Sequence, residues 1–489
     1  MDAQQLRRAV NATLMPGFEG PVLPPWLAAE LADGLGSVCL FSTNVTDPVQ
    51  LRSLTDAIHA ANPGCLVAVD EEGGDVTRLH HRHGSPYPSM AYLGRLDDEA
   101  VTEQVAAGIG AELLAAGIDL NLAPDADVNS NPRNPVIGVR SFGSTPALVA
   151  RHVAAYTRGL QAAGVGAVAK HFPGHGDTAT DSHRELPTID VATATLVARE
   201  LVPFGAAVHA GTVAVMTSHI MVPTIDPNLP ATLSAELLAL LRDRFGFTGA
   251  IVSDALDMAG ASAGRGIPEA AVLALAAGVD LLCIGTDNSA EQLAEIRRAL
   301  LSAVHDGRLP VHRVLRAAER VAALSRRVAE LRATATGAAS AAPPPRFGPA
   351  GFALAHPVRP LRAPVLVRLH SPANIAAGDT VWGLGPHLAA ELDAQLPGHT
   401  CMAAHDLDEL DAVLLAHPDR ALVVQGRDLA RVPFLAAAVD VVRRSRPDAL
   451  LVELGWPDDT SSEPADIATY GSGRGTMLAL IELLALGTR

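Results

Sequence analysis

Lysine is nearly missing from this chain. Among 489 residues, the 37 basic side chains comprise 36 arginines and one lysine, Lys170. A skew of that size reads as a coding bias against lysine, so the single position that keeps it is taken as chemically required. Positive charge is short overall, with 37 Lys and Arg against 53 Asp and Glu and a formal net charge of -16, and aromatics make up only 3%. An acidic chain without a basic tract excludes a nucleic-acid binder, because phosphate contacts need clustered Lys and Arg. No run of apolar residues approaches the ~20 that cross a bilayer, and the N-terminal MDAQQLRRAVNATLMPGFEG has no apolar centre of signal-peptide length. A cytoplasmic protein with no membrane partner is expected. Cysteine is scarce too. Cys39, Cys65, Cys283 and Cys401 lack CxxC spacing, and three lie in apolar, strand-like runs, which favours buried thiols over a disulfide or zinc framework.

What the chain does have is a repeated spacing. Ala-rich amphipathic stretches are followed by Gly and then by a short apolar run ending in polar residues: GSVCLF from Gly36, GCLVAVD from Gly64, GIDLNLAPD from Gly117, GVGAVAKHF from Gly164, GTVAVMTSH from Gly211, GAIVSDALDM from Gly249 and GVDLLCIG from Gly278. Glycine is the usual residue after a helix, and a continuous apolar run is what a strand buried on both faces looks like. With a first strand near Val10 to Met15, the count reaches eight, which predicts an α/β fold with an N-terminal (β/α)8 barrel over residues 1–332. Residues 333–354 are rich in Ala and Pro and read as a linker. Beyond them APVLVRLH, DTVWGLG, ALVVQG and ALLVELG alternate with helical stretches, predicting a smaller α/β sandwich domain over 355–489.

In a barrel the active face lies at the carboxyl ends of the strands. Asp70, Asp125, Lys170, His171, His219 and Asp254 fall at those predicted ends. The densest stretch is KHFPGHGDTATDSHRELP, Lys170 to Pro187, which sets a carboxylate, Asp181, two residues from an imidazole, His183. A carboxylate on one ring nitrogen fixes the tautomer and raises basicity, leaving the other nitrogen to exchange a proton near neutral pH. Alone, DxH also suits a capping contact in a loop. His175, Asp177 and His183, with His80, His81 and His83, could instead ligate a metal, but no HExxH or comparable spacing accompanies them. Neither a metal nor another cofactor is expected.

KHFPGHG followed by TATDSH resembles the signature of glycoside hydrolase family 3, in its bacterial β-N-acetylglucosaminidase branch. VDEEGGDVTRL (Val69 to Leu79), the NP.VIGVRSFG block (Asn134 to Gly143) and IVSDALDMAGA (Ile251 to Ala261) extend the resemblance in the expected order over most of the first 290 residues. The resemblance implies a (β/α)8 barrel and an exo-acting, retaining hydrolase of terminal β-linked N-acetylglucosamine, acting on muropeptides in peptidoglycan recycling. It makes Asp254 the nucleophile, His183 the general acid/base and Asp181 the residue that orients it. Asp70, Arg78, Arg140, Lys170 and His171 match positions that bind the N-acetylglucosamine unit. Three departures stand out: Glu71 where Gln is frequent, Ala255 where a second Asp is common, and the C-terminal domain itself, a feature of two-domain relatives.

In that domain, the GSGRG run (Gly471 to Gly475) reads as a turn before the last helix. It lacks the preceding strand and downstream Lys of a phosphate loop. Glu453 and Glu463 are not chosen as acid/base, since the DSH dyad makes them unnecessary. Two rivals to hydrolysis are a phosphorylase, because a neutral imidazole base repels an incoming phosphate less than a carboxylate would, and a non-catalytic sugar-binding barrel.

Overall fold

The computed structural model describes residues 2–180, 186–335, 346–371, 376–458 and 464–488. Asp181, Ser182, His183 and Glu463 lie outside the described residues. The chain divides into two compact units. One comprises Met1–Glu72, Glu99–Asn134 and Gly143–Pro343; the other comprises Gly73–Asp98, Pro135–Phe142 and Pro344–Arg489. This partition differs from a split between residues 332 and 355: two insertions in the first third of the chain group with the C-terminal segment.

The first unit is the barrel. Its strands are β1 Leu14–Pro16, β2 Ser37–Leu40, β3 Leu66–Val69, β4 Leu120–Asn121, β5 Gly166–Phe172, β6 Ala214–Thr217, β7 Ala250–Val252 and β8 Leu282–Gly285. β2 to β7 run side by side in chain order, and β1 pairs with β8 in parallel, with Leu14 opposite Leu282. A parallel bridge between Val252 and Leu281 joins β7 to β8, and β1 packs beside β2, closing the ring.

Seven strands coincide with the glycine-led runs. The first differs from expectation, because Val10 belongs to the helix Ala3–Asn11. Asp2 and Gln5 form a reciprocal capping box there, which starts the helix and delays the strand to Leu14. The interior is filled by Met15, Cys39, Leu66, Ala68, Leu120, Val168, Met216, Val252 and Cys283. Val321, Leu324, Val328 and Leu331 of the helix Val311–Thr334 join the same core. Cys39 and Cys283 share a hydrogen bond, which together with burial raises the Cys283 thiol. All four cysteines are free, although Cys401 is only half-buried.

The second unit holds a six-stranded sheet in the order β11-β10-β12-β13-β14-β9. Its strands are β9 Ala353–Leu354, β10 Val365–Leu369, β11 Thr400–Ala404, β12 Leu422–Gly426, β13 Leu450–Glu453 and β14 Ile467–Ala468, parallel except for β9. Leu410, Val413, Leu435, Val439 and Val442, from the helices Leu407–Ala416 and Pro433–Ser445, cover its apolar residues. DTVWGLG is not a strand, and TCMAA, unmarked in the sequence reading, supplies β11. Contrary to the sequence reading, β14 does precede GSGRG, which leads into the helix Arg474–Leu486. None of the described helices is long and apolar enough to cross a membrane.

Candidate active site

Polar side chains gather where β3 to β7 end. Lys170 lies near the end of β5, 2% exposed, with Nζ 2.7 Å from Asp70 Oδ1, 2.7 Å from Glu72 Oε1 and 4.0 Å from Asp125 Oδ1. An ammonium is compact and strongly hydrated, so burial is tolerable only with anions around it. Three carboxylates supply more negative charge than one lysine cancels.

Asp70 is the residue after β3. Asp125 faces Lys170 across a parallel bridge and is fully buried. Glu71, which stands where Gln is frequent, is buried. Its backbone N–H donates to Asn121 Oδ1 at 2.9 Å and its carbonyl accepts from Asn121 Nδ2 at 2.7 Å. Glu72 is the one whose carboxylate reaches Lys170.

His171 follows in the strand, with Nδ1 2.7 Å from Asp127 Oδ2. Asp127 Oδ1 accepts from the His175 backbone N–H at 2.7 Å, and His175 Nδ1 lies 2.7 Å from Thr178 Oγ1. Asp127 therefore fixes both the ring of His171 and the start of the following loop. A carboxylate on Nδ1 holds the imidazole's orientation. Asp125, Asp127 and His171 also bring ligand-type atoms within 4.8 Å of one another. Among the described residues, this trio takes the place of the histidines the sequence suggested for a metal.

Below the same loop sits Glu200, fully buried. Gly174 has φ +127°, and a Cβ there would fall 2.8 Å from Glu200 Oε2, so the glutamate packs on the bare backbone. Arg199 Nε donates to Glu200 Oε1 and Arg199 Nη2 to Asp177 Oδ2, each at 2.5 Å. Burial is the main cause that pushes the Glu200 carboxyl up to about 7, against the pull of Arg199.

At the end of β7, Asp254 is half-buried and its Oδ1 accepts from the Ala255 N–H at 2.8 Å. His219, two residues past β6, has Nε2 2.9 Å from the Ala255 carbonyl and Nδ1 2.9 Å from Thr232 Oγ1. Both ring nitrogens are engaged, and the turn that carries Asp254 is braced.

Asp70, Lys170, His171 and Asp254 thus belong to the barrel unit, while Arg78 and Arg140 belong to the other. Arg78 donates through Nη2 to the Ala376 carbonyl at 2.9 Å; Arg140 Nη1 donates to the Val136 carbonyl at 3.4 Å. Glu72, Asp127 and Glu200 were not singled out from sequence. Asp127 could have been, standing two residues past Asp125 in APDAD. Glu200, inside a helix-like stretch, carries no such signal.

Fold and site define a (β/α)8-barrel enzyme with a charged, imidazole-containing cluster on the carboxyl face of its strands. The model of the glycosyl hydrolase family 3 N-terminal domain matches residues 27–324. The chain belongs to glycoside hydrolase family 3. A solved family 3 β-N-acetylglucosaminidase from Paenibacillus sp. str. FPU-7 is 32% identical, with a TM-score of 0.85 over 99% of this chain and 98% of that one. A β-hexosaminidase of Methylococcus capsulatus is 38% identical over 267 residues, 54% of this chain and 79% of the relative. The β-hexosaminidase A of Pseudoalteromonas piscicida is 36% identical over 282 residues, and the match spans about half of that protein, 47%.

Proposed function

We propose that the chain is a retaining, exo-acting β-N-acetylglucosaminidase that removes non-reducing terminal β-linked N-acetylglucosamine. Its substrates are muropeptide fragments, met in the cytoplasm during peptidoglycan recycling. The observation that carries this reading is the placement of Asp254: a carboxylate at a strand end, its Oδ1 held by a backbone N–H, in a chain similar along 99% of its length to a β-N-acetylglucosaminidase.

A retaining glycosidase sets its nucleophile about 5 to 5.5 Å from the acid/base, attacks the anomeric carbon, forms a covalent glycosyl-enzyme and hydrolyses it with water. Asp254 is the nucleophile, and a strand end holds it still. His183, polarised by Asp181, protonates the leaving oxygen and then takes a proton from water. Asp70, Lys170 and His171, with Arg78 and Arg140, grip the sugar through charge-assisted hydrogen bonds. The ion pairs from Lys170 to Asp70 and Glu72 hold the ammonium ready for a sugar hydroxyl.

Asp254→Asn should lower turnover of an aryl β-N-acetylglucosaminide by about a thousandfold or more. A rate close to that of the unaltered enzyme would sink the assignment. His183→Ala should slow natural disaccharides more than substrates with acidic leaving groups, which need no proton. Product analysis with and without inorganic phosphate separates hydrolysis from phosphorolysis.

A further inference from the structure

We infer that the C-terminal unit holds a binding site for a small oxyanion, a carboxylate or a phosphate group, at the guanidinium of Arg427. This residue directly follows β12 and is 9% exposed. Its guanidinium carbon lies 4.2 Å from the centroid of the Trp382 ring, and the guanidinium of Arg368, from β10, lies 5.0 Å from the same centroid. Stacking engages only the face of a guanidinium. Its five N–H donors point outward in the plane, in a fork that matches the two oxygens of a carboxylate or phosphate.

Among the described residues, no hydrogen bond or ion pair takes up those donors. The polar contacts of Arg427 run through its backbone: its N–H donates to Ser371 Oγ at 3.1 Å, and its carbonyl accepts from the same hydroxyl at 3.3 Å. Arg368 spends one donor on the Trp382 carbonyl, at 3.2 Å, and likewise has no carboxylate partner.

The charged groups facing Arg427 are Asp75, Asp428, Arg368 and Glu453. Each carboxylate is engaged elsewhere. Asp75 Oδ1 accepts from the Ser472 N–H at 2.7 Å, Asp428 pairs with Arg431, and Glu453 accepts from the backbone N–H groups of Asp428, Leu429 and Gly455. Burial pulls the pKa of Arg427 down from the usual arginine range, the mark of a cation whose lost hydration is not made good. Those carboxylates act on Arg427 through space and leave its N–H donors without hydrogen bonds, which is costly for a buried group; an oxyanion in the plane of the fork would supply them, and the charge of Arg368, which also acts on Arg427, would favour it. The site does not depend on which glycoside the barrel cleaves.

The test is a fluorescence titration of the full chain at constant ionic strength, with inorganic phosphate in one arm and lactate in the other. Trp382 is the reporter, and chloride at matched ionic strength is the blank. A saturable change in one arm identifies the source, and Arg427→Lys, which keeps the charge and loses the fork, should weaken that anion by about tenfold. Arg368→Gln, at a half-buried position with less repacking at stake, should weaken it severalfold, which keeps the test informative if Arg427 variants do not fold. No saturable change in either arm, or equal affinity in the unaltered chain and both variants, would overturn the proposal and leave the stack as packing.

Discussion

The two units neutralise their buried charges differently. In the barrel, charged side chains meet one another: Lys170 with Asp70 and Glu72, His171 with Asp127, and Arg199 with both Glu200 and Asp177. In the second unit some such pairs occur, as between Arg443 and Asp466, but other charged groups meet the main chain. Glu453 accepts from three backbone N–H groups, and the half-buried Arg420 donates to the carbonyls of Ala363, Pro364 and Gly398. A charge tied to the main chain fixes a loop and has little freedom left. A charge tied to other side chains can be shared with an incoming hydroxyl or moved by a proton. Arg427 stands out because its guanidinium follows neither habit.

The largest effect expected from breaking this contrast is at Lys170. Lys170→Ala leaves Asp70 and Glu72 facing each other, and removing one partner of a buried ion pair costs about 3–5 kcal/mol. Thermal unfolding should fall by many degrees, and if Lys170 holds the sugar as proposed, kcat/KM should drop by roughly a hundredfold. If Lys170→Arg restores near-normal kinetics, the lone lysine reflects coding bias alone.

Glu200 comes next. Its folded pKa, about 7, is raised above the ordinary glutamate value. Its contribution to stability is therefore fully present below about pH 4.5 and is lost as pH rises through about 7. That slope is on the order of 3 kcal/mol. Glu200→Gln cannot titrate and should flatten the fall in melting temperature between pH 5 and 8. An unchanged slope would mean that Glu200 is ionised throughout.

The smallest effect belongs to Glu453→Gln, where an amide NH₂ must face backbone donors, at a cost of about 1–3 kcal/mol. Melting temperature should fall while kcat/KM on an aryl glycoside holds. A selective loss of activity would blur the division between the units.

The sequence made the barrel legible because its strands are buried on both faces and led by glycines. Both signals are local. What it concealed depends on contacts that the apolar pattern does not show. Val10 looks like a strand residue until the Asp2–Gln5 capping box is seen to claim it for a helix. DTVWGLG has strand composition, yet Gly383 takes φ +68° and Gln425 binds both the N–H and the carbonyl of Leu384, holding the run as a loop. TCMAA lacks the β-branched residues that mark a strand and is only partly buried, but pairs with β10 in full register, Val365 opposite Thr400. Strand-end spacing singled out Asp70, Lys170, His171 and Asp254, and the structure does place them at or just past the ends of β3, β5 and β7. It could not find Glu72 or Glu200, whose importance comes from what lies above them. The expected dyad, Asp181 and His183, falls outside the described residues.

The two insertions that group with the C-terminal unit bear on how the protein can be cut. Tyr92, in the first insertion, donates to the Gly348 carbonyl at 2.5 Å, and Ser89 donates to the Tyr470 carbonyl. Ala91 and Val139 share a small core with Ala468 and Tyr470. A chain ended after Thr334 would keep these insertions while losing Gly348, Ala468 and Tyr470, exposing apolar side chains such as Ala91 and Val139. The second unit is therefore not a detachable appendage: shortening this enzyme toward a bare barrel requires redesigning Gly73–Asp98 and Pro135–Phe142 along with the cut.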